Sequence, residues 1–137
     1  MDAAVPLRIN LLGELTASYD GTLLDLGGRR QRAVLAVLLL ARGEVVPAER
    51  IADAVWAESA PADAVSALQS YVSHLRRSLQ PDAPARERSA VIVREGPGYA
   101  VRQPADAVDA WRFVSLIERA DEAARPEDAA FLLREAL

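Results

Sequence analysis

Along residues 7–26 apolar and polar side chains alternate with a period of two. Leu7, Ile9 and Leu11 are separated by Arg8 and Asn10, and after Gly13-Glu14 the alternation resumes in Leu15, Ala17 and Tyr19. That period places the apolar side chains on one face of a half-buried strand. Asp20-Gly21 is a strong hairpin signal, and Thr22 to Leu26 supplies a third short strand closed by Gly27-Gly28. The first quarter, after a loose terminus over residues 1–6, is expected to be a small antiparallel sheet.

The period then lengthens. Arg29 to Arg42 encloses Ala33-Val34-Leu35-Ala36-Val37-Leu38-Leu39-Leu40-Ala41, apolar on every side, which predicts a central, surrounded helix with Gly43 as its stop. Pro47 precedes a second helix, Ala48 to Trp56, with Ile51, Ala52, Val55 and Trp56 inward. Pro61 opens a third helix with Ser59 as its N-cap. Its apolar positions Val65, Leu68, Val72, Leu75 and Leu79 follow spacings of 3, 4, 3 and 4, a narrow buried stripe. Pro81 to Arg88 reads as a polar turn, Val91 to Val93 as a strand, Glu95-Gly96-Pro97-Gly98 as a turn and Tyr99 to Val101 as a returning strand. Pro104-Ala105-Asp106 reads as a linker. Helical spacing returns in Trp111, Val114, Leu116, Ile117 and Ala120, Arg125 to Asp128 reads as a turn, and Phe131, Leu132 and Leu133 begin a further helix. That last helix has no stop signal, so the chain is expected to be cut inside a second domain.

This order predicts an α+β fold: a winged helix-turn-helix with an N-terminal antiparallel sheet, three helices and a C-terminal wing hairpin, followed by an α-helical segment. The expected domains are residues 7–103 and 107–137. In such a fold the third helix lies in the DNA major groove and the wing touches the adjoining backbone or minor groove. Opposite its apolar stripe that helix carries Ser66, Ser70, Ser73 and Arg77, with Asp63 and His74 on one flank and Gln69 and Arg76 on the other. Small hydroxyls allow close approach, and an arginine forks onto a guanine or a phosphate. Arg29, Arg30 and Arg32 open the first helix, either as a plain solvated start or as a backbone clamp aided by the helix N-terminus. The same fold also serves as a protein-interaction module without DNA reading, and steep loss of binding with salt separates the two.

Composition changes this picture in three places. The 137 residues include no cysteine and a single histidine, His74, which excludes disulfides, thiolate chemistry, Cys-based zinc sites and any site built on two imidazoles. No carboxylate pair stands apart from the others and Gly27-Gly28 is no phosphate-cradling loop, so neither catalysis nor a cofactor nor a metal is expected. No apolar run reaches the roughly 18 residues of a membrane span, and a cytoplasmic protein is expected. The net charge of −4 argues mildly against nucleic acid. Yet residues 1–103 hold 12 Arg against 12 acids, and residues 104–137 hold 4 against 8, so the negative excess is confined to the tail. From Ser66 to Arg102 there are 6 Arg and 3 acids, a local net of +3. All 16 basic residues are arginine, which fits a GC-rich coding sequence as well as a choice for bidentate contacts.

Two longer motifs carry a family resemblance. Leu26-Gly27-Gly28-Arg29-Arg30-Gln31-Arg32-Ala33-Val34-Leu35-Ala36-Val37-Leu38-Leu39-Leu40 resembles the first-helix motif of the SARP regulators (Streptomyces antibiotic regulatory proteins), and Ala67-Leu68-Gln69-Ser70-Tyr71-Val72-Ser73-His74-Leu75-Arg76-Arg77-Ser78-Leu79 resembles their recognition helix. Ile92-Val93-Arg94-Glu95-Gly96-Pro97-Gly98-Tyr99 looks like their wing, in a domain of OmpR/PhoB type. Asp109-Ala110-Trp111-Arg112-Phe113 and Leu132-Leu133-Arg134-Glu135-Ala136-Leu137 resemble the start of the TPR-like bacterial transcriptional activator domain. The resemblance implies binding to direct repeats near promoters, possible dimers on double-stranded DNA, and recruitment of RNA polymerase holoenzyme, often at secondary-metabolite genes. It places recognition contacts on Ser70, Ser73, His74, Arg76 and Arg77 and wing contacts near Arg94 and Tyr99, although a wing tyrosine also packs back on the core. The chain departs from the family pattern at His74, where relatives often carry arginine, and a histidine there is expected to make binding mildly pH-sensitive.

Overall fold

In the N-terminal sheet the period-two residues Leu7, Ile9 and Ala17 are buried, and their polar neighbours Arg8 and Asn10 are exposed. Strands β1 (Leu7–Asn10), β2 (Thr16–Tyr19) and β3 (Thr22–Leu23) form this antiparallel sheet in chain order, with Ile9 opposite Ala17. The computed structural model describes residues 6–81, 83–84, 90–122 and 126–136. The sequence readings for residues 1–5, for most of the Pro81 to Arg88 turn and for Arg125 lie outside the described residues.

Helix α1 (Arg29–Leu40) buries Val34, Leu35, Leu38 and Leu39 against α2 (Ala48–Trp56), α3 (Ala64–Leu79) and the last strand of the second sheet. It is central but not surrounded, because Leu40 is exposed. Its end at Leu40 is followed by Arg42 and Gly43 in left-handed backbone (φ 52° and 90°), where glycine costs least. Trp56 stacks on Tyr71 with ring centroids 5.9 Å apart and ties α2 to α3.

The start of α3 differs from the expectation. Ser59 sits in a 3₁₀ turn, Ala57–Ser59, and Asp63 holds the N-cap position without a side-chain bond. Ala60 is extended, as a residue preceding proline tends to be, so the helix begins only after Pro61 and one further turn. The stripe is shorter than its spacing suggests. Leu68, Val72, Leu75 and Leu79 are buried, whereas Val65 is 59% exposed, because the helix projects past the core at its N-terminal end. Leu75→Ala is therefore expected to cost about 2–5 kcal/mol of stability, and Val65→Ala within about 0.5 kcal/mol. Urea midpoints of the two variants check the contrast.

The wing is part of a three-stranded sheet rather than a lone hairpin. Strand β4 (Val46–Pro47) pairs with β6 (Gly98–Val101), which pairs with β5 (Ile92–Glu95), in the order β4-β6-β5. β4 is an edge strand, where a proline is tolerated. Glu95 and Gly98 belong to the strands and leave Gly96-Pro97 as a two-residue turn, with Gly96 at φ 54° in the first central position.

The stretch read as a linker folds tightly. Ala105–Ala107 is a 3₁₀ turn, Ala107 and Val108 are buried, and Val108 bridges Ile9 of β1 in parallel. Asp109 accepts bonds from the Leu11 and Leu12 N–H groups (2.6 and 3.2 Å) across the end of β1. Helix α4 (Asp109–Glu122) then inserts Trp111 into the main core. Helix α5 starts at Pro126, earlier than expected, because proline suits a first helical position. Arg112 near the start of α4 pairs with Glu135 near the end of α5 (3.0 Å), so the two helices run antiparallel. Phe131 and Leu133 on α5 are exposed.

Candidate nucleic-acid interface

Burial of the Leu68-Val72-Leu75-Leu79 stripe fixes what α3 presents outward. Ser66, Gln69, Ser70, Ser73, His74 and Arg77 are all exposed, so the outer face is polar, small-featured and ends in a free guanidinium. Two arginines fall in the last turn of α3, and the helix C-terminal dipole favours cations there. Arg76, one residue from Arg77, has a different situation. It is half-buried, and its Nε–H donates to the Ile92 carbonyl of β5 (3.0 Å). Arg76 thereby fastens the wing to α3 and sets the angle between them.

The N-terminal end of α1 reaches the same face. Asp25, Gly27 and Gln31 share a shallow cleft with His74, Arg77 and Ser78 of α3. This packing follows from local chemistry. The Asp25 carboxylate accepts the Gly27 N–H (2.9 Å), Gly27 adopts φ 82°, and the buried Gln31 amide donates to the Leu26 carbonyl (3.0 Å). Arg29 and Arg30, between Gly27 and Gln31 in the chain, are exposed. Arg32 turns the other way, half-buried, and donates to the Leu15 carbonyl ahead of β2. Of the three arginines opening α1, two therefore face solvent and the third joins helix to sheet.

On the wing, Arg94 is exposed and its guanidinium lies 5.7 Å from the Tyr99 ring centroid. Tyr99 itself is 5% exposed and belongs to the core cluster, so it takes the packing role and supports Arg94 from below. Arg102 pairs with Glu95 across the hairpin at 2.9 Å. That pairing takes one cation and one acid out of the count together and leaves the local excess of +3 unchanged. Arg86 and Arg88 lie outside the described residues. Among the described residues Arg29, Arg30 and Arg77 make no side-chain hydrogen bond or ion pair and Arg94 only its ring contact, whereas Arg42 pairs with Glu118. Three segments distant in sequence, the start of α1, the end of α3 and the wing, thus each present an exposed cation without an ionic partner among the described residues.

Sequence reasoning missed three contributors to this surface. Val65 was hidden by its register with the stripe. Asp25 carries the signature of an aspartate bonding a backbone N–H two residues on, a signal readable as Asp-Leu-Gly. Glu95 gave no signal, since its partner is fixed only by hairpin register.

Three helices, the third with a polar outer face, followed by a wing define the winged helix-turn-helix class. Residues 24–101 match the family described as "Transcriptional regulatory protein, C terminal". The chain belongs to this family, which is of the OmpR/PhoB type, and the curated relatives it matches are SARP-family regulators. It is similar to the regulatory protein AfsR of Streptomyces coelicolor, 40% identical over 135 residues, which cover 96% of this chain and 13% of AfsR. It is also similar to the transcriptional regulatory protein EmbR of Mycobacterium tuberculosis, 36% identical over 109 residues, 80% of this chain and 28% of EmbR. The solved structure of Mycobacterium tuberculosis EmbR in complex with a low-affinity phosphopeptide superposes with a TM-score of 0.83 at 34% identity, over 96% of this chain and 35% of that one. The chain therefore spans about a third or less of these relatives. No helix among the described residues is long and apolar enough to cross a membrane.

Proposed function

We propose that this chain reads direct-repeat operators in double-stranded DNA near promoters, as a dimer on the DNA, and activates transcription by recruiting RNA polymerase holoenzyme, in the cytoplasm and at secondary-metabolite genes. The observation that carries the DNA-reading part is the outer face of α3, where Ser66, Gln69, Ser70, Ser73, His74 and Arg77 are exposed together, with Arg29, Arg30 and Arg94 exposed on the neighbouring elements. In this reading α3 enters the major groove, Arg77 contacts a base edge or phosphate, and Arg29, Arg30 and Arg94 hold the backbone. Arg32, Arg76 and Tyr99 act as positioning residues, because each is engaged within the protein. The antiparallel pair α4 and α5 corresponds to the start of the helical activator domain and leaves Phe131 and Leu133 exposed.

Selection from randomised duplexes, followed by fluorescence anisotropy on the enriched site, tests the reading. Enrichment of a direct repeat and a steep fall of affinity with salt are expected, each phosphate contact adding about 0.9 to the log-log slope. Arg77→Ala is expected to weaken specific binding by about 1–3 kcal/mol, the worth of a bidentate base contact. Unchanged affinity would remove Arg77 from the reading face. Absence of any enriched sequence would assign the fold to protein interaction instead.

A further inference from the structure

Val65 lies in the first turn of α3, in register with four buried residues, yet 59% exposed. Leu68, three residues on, is buried, so the core ends within one turn and no part of the described chain covers Val65. Gln69 follows four residues later, about 40° around the helix axis at 3.6 residues per turn. It is exposed, with no hydrogen bond or ion pair among the described residues. Side chains at i and i+4 are neighbours on a helix surface. The first two turns of α3 therefore present a branched apolar side chain beside a free carboxamide along the edge between the stripe side and the outer face, with the small Ser66 beyond Gln69 on that outer face.

That combination matches one object in a major groove. A glutamine bonds adenine N6 and N7 in bidentate fashion, and the thymine C5-methyl is the apolar group that the groove displays. Residues at the N-terminal end of a recognition helix are those that meet base edges. An uncovered valine is a poor partner for phosphates or for guanine acceptors. We infer that Val65 and Gln69 act as a unit reading A·T pairs, Val65 packing on a thymine C5-methyl and Gln69 bonding an adenine in the same or the adjoining pair. This rests on the DNA-reading role of α3 proposed above, and it adds Val65 to the reading residues and gives Val65 and Gln69 a stated base preference.

The test uses the duplex enriched by the whole 137-residue chain, remade with uracil in place of each thymine in turn, which deletes only the C5-methyl. One thymine is expected where uracil weakens binding of the parent about fourfold, the worth of one buried methyl group. Val65→Ser is expected to lose a similar factor on the thymine duplex and to become indifferent to that uracil. Gln69→Ala is expected to relax the preference for A·T at or beside that position. Val65→Thr, which has nearly the same shape and keeps one methyl, serves if serine disturbs the helix start, and is expected to retain part of the uracil penalty. The inference is overturned if the parent tolerates uracil at every thymine, or if Val65→Ser keeps the full penalty. Val65→Ser with parental affinity would assign the residue to a protein partner and overturn it equally. If the parent enriches no sequence, the DNA-reading role falls and this inference with it. If it enriches a salt-sensitive site without a uracil penalty, only the A·T unit falls.

Discussion

Truncation of Trp111 to alanine is expected to destabilise the protein by about 3–5 kcal/mol, the range for deleting a large buried aromatic side chain. Trp111 is 7% exposed and belongs to the same core cluster as Ile9, Leu39 and Val108. Its indole N–H donates to the Leu39 carbonyl at 2.7 Å, a buried bond joining α4 to the end of α1. The Leu39 carbonyl also accepts the Arg42 N–H (3.1 Å), so losing the indole bond leaves it half-satisfied rather than orphaned. Most of the cost therefore comes from lost packing and the cavity. Trp111→Phe, which keeps much of the ring volume, is expected to cost about 1–2 kcal/mol. The second tryptophan, Trp56, is a built-in reporter, since it stacks on Tyr71 in the α2–α3 contact. Loss of Trp111 is expected to shift the urea transition seen by Trp56 fluorescence and by helical circular dichroism together. A parental Trp56 midpoint in Trp111→Ala would mean that α4 is an appendage that leaves the winged helix unchanged.

The Trp111 case shows where the sequence was informative and where it was not. Its helical spacing with Leu116 and Ala120 is legible, and so is the helix. Its contact with Leu39 lies 72 residues away along the chain, and no local pattern encodes it. Asp109 is similar. In the sequence it is one of the acids that make the tail negative, and in the structure it binds N–H groups 98 and 97 residues earlier. Periodicity located α1, α2 and α3 because each exceeds two turns. It could not reveal β4, which is two residues long. It misplaced Val65 because a period reports the face of a helix but not where the core stops.

The candidate site was legible in the same uneven way. The outer face of α3 follows from the stripe by geometry alone, so Ser66, Gln69, Ser70, Ser73, His74 and Arg77 were within reach of the sequence. The roles of the arginines were not. Charge sums treat Arg76, Arg77, Arg94 and Arg102 alike, whereas folding commits Arg76 to the Ile92 carbonyl and Arg102 to Glu95. Which cations remain free for phosphate is a tertiary property, set by strand register and by the angle between α3 and the wing. Part of the tail's acid is likewise committed, Glu135 to Arg112 within the tail and Glu118 to Arg42 at the end of α1.

Gly98→Ala is expected to be the most damaging single-methyl insertion in the wing, about 3 kcal/mol, at the upper end for overpacking a well-filled site. A Cβ on Gly98 would stand 2.6 Å from the Val46 carbonyl carbon and 2.9 Å from the Pro47 Cα, and closer still to the Val46 oxygen. All three atoms are backbone, so no side chain can swing aside, and relief requires moving β4 away from β6. That movement breaks the pairing of Val46 with Tyr99 and of Pro47 with Gly98. It also displaces Tyr99, on whose ring Arg94 rests. Gly96→Ala, two residues away in the same hairpin, meets no atom within 4 Å and carries only the left-handed backbone cost at φ 54°, about 1–2 kcal/mol. The two glycines look equivalent in the motif Gly96-Pro97-Gly98, but one serves the turn and the other serves the close approach of β4. Thermal melts of the two variants separate these roles, with Gly98→Ala expected to melt several degrees below Gly96→Ala. If Gly96→Ala proved the more damaging, the turn rather than the β4–β6 contact would limit the wing. Anisotropy on the enriched duplex gives the functional counterpart: at a temperature where both variants remain folded, Gly98→Ala is expected to lose affinity as Arg94 shifts, and Gly96→Ala to keep it.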